Sequence, residues 1–317
     1  MMIAAAILLV SLSVLLLVSW HSSSIRRAPF PAPEASWRCW EDILSHPKPI
    51  TIRTYSTGMM KTSLSAIMNL KHERARGIED ESVEFPVVAS IVEHREFGAY
   101  LIDAGLDSSY VHDPHGRMRG LLVAAVLGRG HQEPNTHIAA ILRREGVEVR
   151  GIWLTHLHFD HIAGIWDLPK DITCVVGKGE RYVNFAFFMR GDYLAGIDEL
   201  HELDFAGGVD LPPLGKGIDV LGDGSLWAIS SGGHSKGHVM YFLNGVDDKV
   251  LVTGDACNTR RQFELGIGPG YFSSDLERAQ DVVDRMRSFK ALHPDVRLVF
   301  GHDLPEPARS PEDAHEC

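Results

Sequence analysis

Thr155-His156-Leu157-His158-Phe159-Asp160-His161 is the stretch whose reading decides the fold. It packs four metal-competent side chains into six residues, and a packed core has no use for such a density of polar groups. Imidazole and carboxylate are the donors that Zn²⁺ and similar divalent ions take, neutral histidine most often. Alternation on an extended backbone turns His156 and His158 to one side, and the turn after them brings Asp160 and His161 round the same point. Ahead of the cluster, Gly151-Ile152-Trp153-Leu154-Thr155 is a short apolar run that predicts a buried strand. The ligands then stand at its carboxyl end, where open α/β sheets place their sites. The competing reading is a chance cluster in a chain with 17 histidines in 317 residues.

Working outward, three later positions repeat one arrangement: Gly233-His234, Gly254-Asp255 and Gly301-His302. Each puts a His or Asp just beyond a predicted strand, at a glycine that lets backbone approach closely. Each alone reads more readily as a surface or capping residue. Together with the first cluster they make seven candidate ligands, enough for two ions that share a water.

The elements around these positions follow from periodicity. Ile50 to Tyr55 alternates as a half-buried strand, and Pro86 to Val92 and Ala99 to Asp103 predict a hairpin around Gly98. Met59 to Glu84 reads as a loop with a short helix or as a flap over the site, with Met59, Met60, Ile67 and Met68 assigned to local packing. Asn135 caps a predicted helix with Ile138, Ile141 and Leu142 on one face, and Gly146 stops it. A strand at Ile172 to Val176 precedes a helix from Glu180 to Arg190. The aromatics of that helix, Tyr182 among them, belong either to the core or to a pocket wall. Further strands are expected at Ile218 to Leu221, Leu226 to Ile229, Val239 to Leu243, Val250 to Thr253 and Val296 to Phe300. Ser274 and Glu277 form a capping box for a helix ending at Leu292. Two successive halves of this kind predict an α/β protein, layered as an α/β/β/α sandwich.

Composition bounds the rest. At 317 residues and 44% hydrophobic content the chain can bury a full core. A net charge of −11 with no basic block argues against nucleic acid as partner. Cys39, Cys174, Cys257 and Cys317 lie far apart, so neither a disulfide framework nor a cysteine zinc site is indicated. Packing is the role assigned to Cys257. Ile3 to Trp20 is uncharged and apolar at the length of a membrane-spanning helix. Arg26 and Arg27 follow it with no basic residue before it, which favours a single-pass anchor with the bulk of the chain on the cytoplasmic side. The alternative is export after signal cleavage near Ser22 to Ser24. The division expected is an anchor or signal over 1–24, a Pro-rich linker over 25–45, a catalytic domain over 46–305 and a tail over 306–317.

His156-x-His158-x-Asp160-His161, then His234, Asp255 and His302, resemble in order and spacing the metallo-β-lactamase-fold hydrolases, over about Ile50 to Asp303. Thr155 to His161, Gly233 to His238 and Phe300 to Asp303 are most similar to N-acyl-homoserine lactonases. The resemblance implies a metallo-β-lactamase-like αββα sandwich and two Zn²⁺ or other divalent ions. One ion is then held by His156, His158 and His234, the other by Asp160, His161 and His302, with Asp255 bridging. Asp103 matches the strand-end aspartate that supports a ligand imidazole from behind, and His238 is likewise placed behind the ligands rather than on a metal.

Two departures bear on substrate. The β-lactamases proper tend to carry cysteine where this chain has Asp255, which argues against antibiotic hydrolysis. Lactonases carry a substrate-facing tyrosine three residues after the bridging aspartate, where this chain has Asn258. With Phe159, Asn258 is the expected substrate contact, and slow turnover of acyl-homoserine lactones relative to another ester or lactone is the expected result. The mechanism expected is attack by a metal-bridging hydroxide on an ester or lactone carbonyl, with Asp160 carrying the proton to the leaving oxygen. The alternatives are thioester or phosphodiester hydrolysis on the same fold, a di-iron redox protein, and an inactive metal-binding protein.

Overall fold

The computed structural model describes residues 6–13, 25–182 and 189–305. Among the described residues, fourteen strands form two sheets that pack face to face, with helices on both outer faces. This is the expected α/β/β/α sandwich. The first sheet has eight strands in the order β1-β8-β7-β6-β4-β3-β2-β5. They are β1 (Arg26–Pro29), β2 (Ile50–Ser63), β3 (Ser82–His94), β4 (Gly98–Ile102), β5 (Arg129–His131), β6 (Val149–Trp153), β7 (Thr173–Gly177) and β8 (Glu199–Leu203). The second has six in the order β14-β13-β12-β11-β10-β9. Its members are β9 (Val209–Leu211), β10 (Gly215–Asp219), β11 (Leu226–Ser230), β12 (Val239–Asn244), β13 (Lys249–Gly254) and β14 (Arg297–Phe300).

Period-two alternation sorts the side chains between layers. On β12, Val239, Tyr241 and Leu243 face the space between the sheets, while Met240 and Phe242 face the helix Leu276–Leu292. On β6, Trp153 points inward between the sheets and Ile152 outward, under the helix Ile138–Glu145. The strands β1, β8, β7, β6 and β4 run parallel, so their carboxyl ends lie along one rim. β13 and β14 are also parallel, and their carboxyl ends deliver Asp255 and His302.

Several expectations are corrected. The expected linker over 25–45 is part of the fold: β1 pairs in parallel with β8 at the sheet edge, and Phe30 packs edge-on against Trp153 at 5.2 Å between ring centroids. The helix Trp40–Ser45 follows, and Trp40 is buried between Phe242 and Phe289. The domain therefore begins near residue 25 rather than 46. The stretch from Met59 is no flap at its start, because β2 runs unbroken to Ser63 and pairs with β3 along its length. The short helix Leu64–Ile67 then opens the loop. His137, not Asn135, is the N-cap of the helix Ile138–Glu145, while Gly146 ends it with φ +67°. Asp275 caps the helix Leu276–Leu292, accepting from Arg278 N at 3.0 Å, because Ser274 Oγ is spent on Gly233 O. Glu180 sits in a turn rather than opening a helix; residues 183–188 of the helix expected there lie outside the described residues. The apolar segment Ile3 to Trp20 also falls largely outside them. Residues 6–13 are helical, and no described helix is long and apolar enough to cross a membrane.

Candidate metal centre

All seven candidate ligands converge at the carboxyl rim of the two sheets. His156 and His158 leave β6, Asp160 and His161 lie in the short helix Phe159–Ile162, and His234 comes from the β11–β12 loop. Asp255 and His302 follow β13 and β14 directly. Two groups have ligand-capable atoms within 4.8 Å of one another: His156, His158, His234 and Asp255, and Asp160, His161 and His302. The two oxygens of Asp255 divide between them. Oδ2 lies 3.4 Å from His234 Nε2 and 3.8 Å from His156 Nε2, while Oδ1 lies 3.2 Å from His161 Nε2 and 3.4 Å from His302 Nε2. Close approach depends on glycine: a Cβ on Gly301 would collide with Asp255 Oδ1, and one on Gly254 would fall 2.8 Å from Thr155 Cβ.

Groups behind the cluster aim the imidazoles. Asp103, at φ +57° just past β4, accepts from Thr155 N and Thr155 Oγ1, each at 2.8 Å, and from His161 Nδ1 at 2.8 Å. With Nδ1 carrying the proton, His161 Nε2 is turned toward Asp255 as a lone-pair donor. His302 Nδ1 donates to Pro86 O at 3.0 Å, with the same effect on its Nε2. His238 is different, since its Nε2 already accepts from Asp255 N at 3.1 Å and its Nδ1 meets Ser231 Oγ at 2.8 Å. It stands behind Asp255 with both ring nitrogens already hydrogen-bonded.

The electrostatics follow from burial and crowding. Burial, then His161 and His158, hold His156 well below the usual histidine range, and burial does the same to His234. Burial alone would lower His161 and His302, but Asp255 and the neighbouring carboxylates raise both. Burial would raise Asp255, yet His161, His302 and His234 hold it well below the usual carboxylate range. His238 is pushed down to about 3 by burial. His156 Nε2, His161 Nε2 and Asp255 Oδ1 are buried without a hydrogen bond. Buried ligand-capable atoms that face one another without a hydrogen bond are costly in a bare core and suit a cation between them.

A cavity of about 370 Å³ opens over the cluster. Met60, Met118, Met189, Phe85, Phe159 and Phe272 are among its walls, and among the described residues no Lys or Arg lines it. Met60 and Ile67, read from sequence as local packing, serve both core and wall. Phe159 lies at the wall. Asn258 also borders the cavity but is 2% exposed, and its Nδ2 donates to Ile67 O at 2.5 Å. Gln262 Nε2 donates to the same carbonyl at 2.9 Å, and Gln262 Oε1 accepts from Asn258 N. Glu180 went unrecognised in the sequence: it is 3% exposed and lies between the two histidine-bearing loops. Nothing in its local spacing marks it, because its partners are distant in the chain.

The metallo-beta-lactamase superfamily profile matches residues 83–302, and the chain belongs to that superfamily. It is a hydrolase of that class. It is 31% identical over 185 residues to the probable metallo-hydrolase YflN of Bacillus subtilis strain 168, covering 51% of this chain and 67% of that one. It is 26% identical over 247 residues to the N-acyl homoserine lactonase AttM of Agrobacterium fabrum, covering 75% of this chain and 88% of the relative. The fold is similar to that of a B. thuringiensis AiiA mutant solved with N-decanoyl-L-homoserine at its active site, with a TM-score of 0.61, 20% identity, and coverage of 86% of this chain and 97% of that one.

Proposed function

We propose that this chain hydrolyses neutral, largely apolar esters or lactones with two divalent metal ions, zinc or a similar metal. His156, His158 and His234 would hold one, Asp160, His161 and His302 the other, and Asp255 would serve both. The observation that carries the reading is the division of Asp255, one oxygen toward each group of imidazoles, beneath an apolar cavity. Such a pair of ions supplies a Lewis acid for a carbonyl oxygen and lowers the pKa of water held between them. The chain's own residues do the rest. The methionine and phenylalanine walls exclude bulk water and seat an apolar substituent. Asp160 borders the cavity, with Oδ2 3.6 Å from His302 Nε2, and can pass a proton to a leaving oxygen. The N-acyl homoserine lactonase name of the AttM relative supports a lactone.

Thioesters of glutathione and phosphodiesters are disfavoured, because an anionic substrate would find no described cationic side chain on the walls and meets a chain of net charge −11. The test combines elemental analysis of protein purified without chelator with kcat/KM on neutral alkyl lactones and esters, an acyl-homoserine lactone, a glutathione thioester and a phosphodiester. About two ions per chain and preference for the neutral substrates are expected. A ratio near zero in folded protein, or preference for the anionic substrates, would overturn the reading.

A further inference from the structure

Glu180 lies at the turn after β7, outside every ligand position, yet its carboxylate joins the two chain segments that supply the three-histidine group. Oε1 accepts from Leu157 N at 3.2 Å, the peptide between His156 and His158. Oε2 accepts from Ser235 Oγ at 2.7 Å and from Gly237 N at 2.9 Å, in the loop that carries His234 and His238. The turn fits only because both facing residues are glycines: a Cβ on Gly177 would strike Gly237 O, and one on Gly237 would fall 2.6 Å from Glu180 N. We infer that Glu180 is a positioning residue for the three-histidine metal position, fixing the spacing of His156 and His158 against His234.

The inference rests on the two-metal reading above and reaches further, because it makes the two positions unequal. The group of Asp160, His161 and His302 is aligned by Asp103 and Pro86 O, and among the described residues no hydrogen bond joins it to Glu180; Asp103 reaches the other group only through Thr155 Oγ1, which meets His156 Nδ1. An amide cannot replace the carboxylate of Glu180. Each oxygen accepts from a backbone N–H, so the NH₂ of Glu180→Gln must face a donor on one side or the other.

The test is metal titration of the stripped full chain against a chromophoric chelator, with Zn²⁺ as probe, alongside thermal melts with and without Zn²⁺. For Glu180→Gln one binding step should weaken by about 10- to 100-fold while the other holds, and the rise in Tm on adding Zn²⁺ should shrink beyond the fall in metal-free Tm that the buried donor–donor contact itself causes. Ser235→Ala, which removes one of the three contacts, should weaken the same step several-fold, and it decides the matter if Glu180→Gln does not fold. Two unchanged steps in either folded variant overturn the inference. So does equal weakening of both steps with a matching fall in metal-free Tm, which marks a purely structural role. A wild-type chain that binds no Zn²⁺ refutes the metal reading itself and is told apart by that control.

Discussion

At Asp255 one carboxylate answers to four imidazoles, and its removal strips the anionic group common to both proposed metal positions. Asp255→Ala is therefore expected to lose nearly all hydrolysis and to retain less than the full metal complement, since two cations at close range then repel without the charge that offsets them. His238→Ala should be milder, on the order of 10- to 100-fold in metal affinity or rate, as is usual for partners behind the ligands. Elemental analysis and kcat on both variants check this; equal and complete metal loss in the two would contradict the division of roles. Asn258 offers a second residue-scale test. One N–H of its amide goes to Ile67 O and its backbone oxygen accepts from His302 N at 2.7 Å, which ties it to the cavity wall. Asn258→Ala should cost about 1–3 kcal/mol of stability by denaturant unfolding. Its kcat should not fall by the roughly 10²- to 10³-fold that removing an oxyanion donor costs.

At the scale of elements, β1 and the β10–β11 turn make opposite points about what a sequence discloses. The ligand positions were legible because a His or Asp after a β-branched run, beside a glycine, is a local pattern. β1 is four residues long, ends in proline and finds its partner β8 across 175 positions, as the contact of Arg27 with Glu202 shows. Pairing at that distance leaves no local trace, and the proline-rich context read as a linker. Short β5, which pairs with β2, was missed for the same reason; β9 pairs with the adjacent β10 but at three residues is too short for alternation to show, and the cap of the helix Leu276–Leu292 slipped by one residue because Ser274 had a distant partner. Removing residues 1–24 should leave stability unchanged, whereas removal through Ser36 also strips β1 and Phe30 and should cost about 1–3 kcal/mol for the lost aromatic burial. Urea unfolding of the two truncations separates them. In the β10–β11 turn, burial raises Asp219 to about 6 although Gly224 N and Gly222 N donate to it. A carboxyl held above its ordinary value of 3.8 favours the fold while protonated, so its contribution is present below about pH 4 and is lost as pH rises to about 6. The difference in Tm between wild type and Asp219→Asn should therefore change across that window and be flat above it. A difference that is constant from pH 4 to 7 would contradict the shift.

For the whole molecule, the candidate metal centre sits where the two sheets meet, so ions held there would tie β6 and its turn to the ends of β13 and β14. Chelation should lower Tm in proportion to the logarithm of free metal, by mass action on the folded state, and re-addition should restore it. A Tm indifferent to chelator would mean that the cluster does not hold ions under those conditions. We further propose that the apolar segment Ile3 to Trp20 ties the chain to a membrane; the full chain should sediment with membranes and the chain lacking residues 1–24 should not. The parallel entry of β1 has a practical corollary for that arrangement. Arg26 is level with Glu199 at the amino end of the parallel strands, while the cavity opens at their carboxyl rim and the last described residues, 303–305, follow His302 immediately. A bead, electrode or fusion partner joined ahead of Arg26 leaves the mouth clear for diffusing substrate. The same attachment made just after His302 would crowd it.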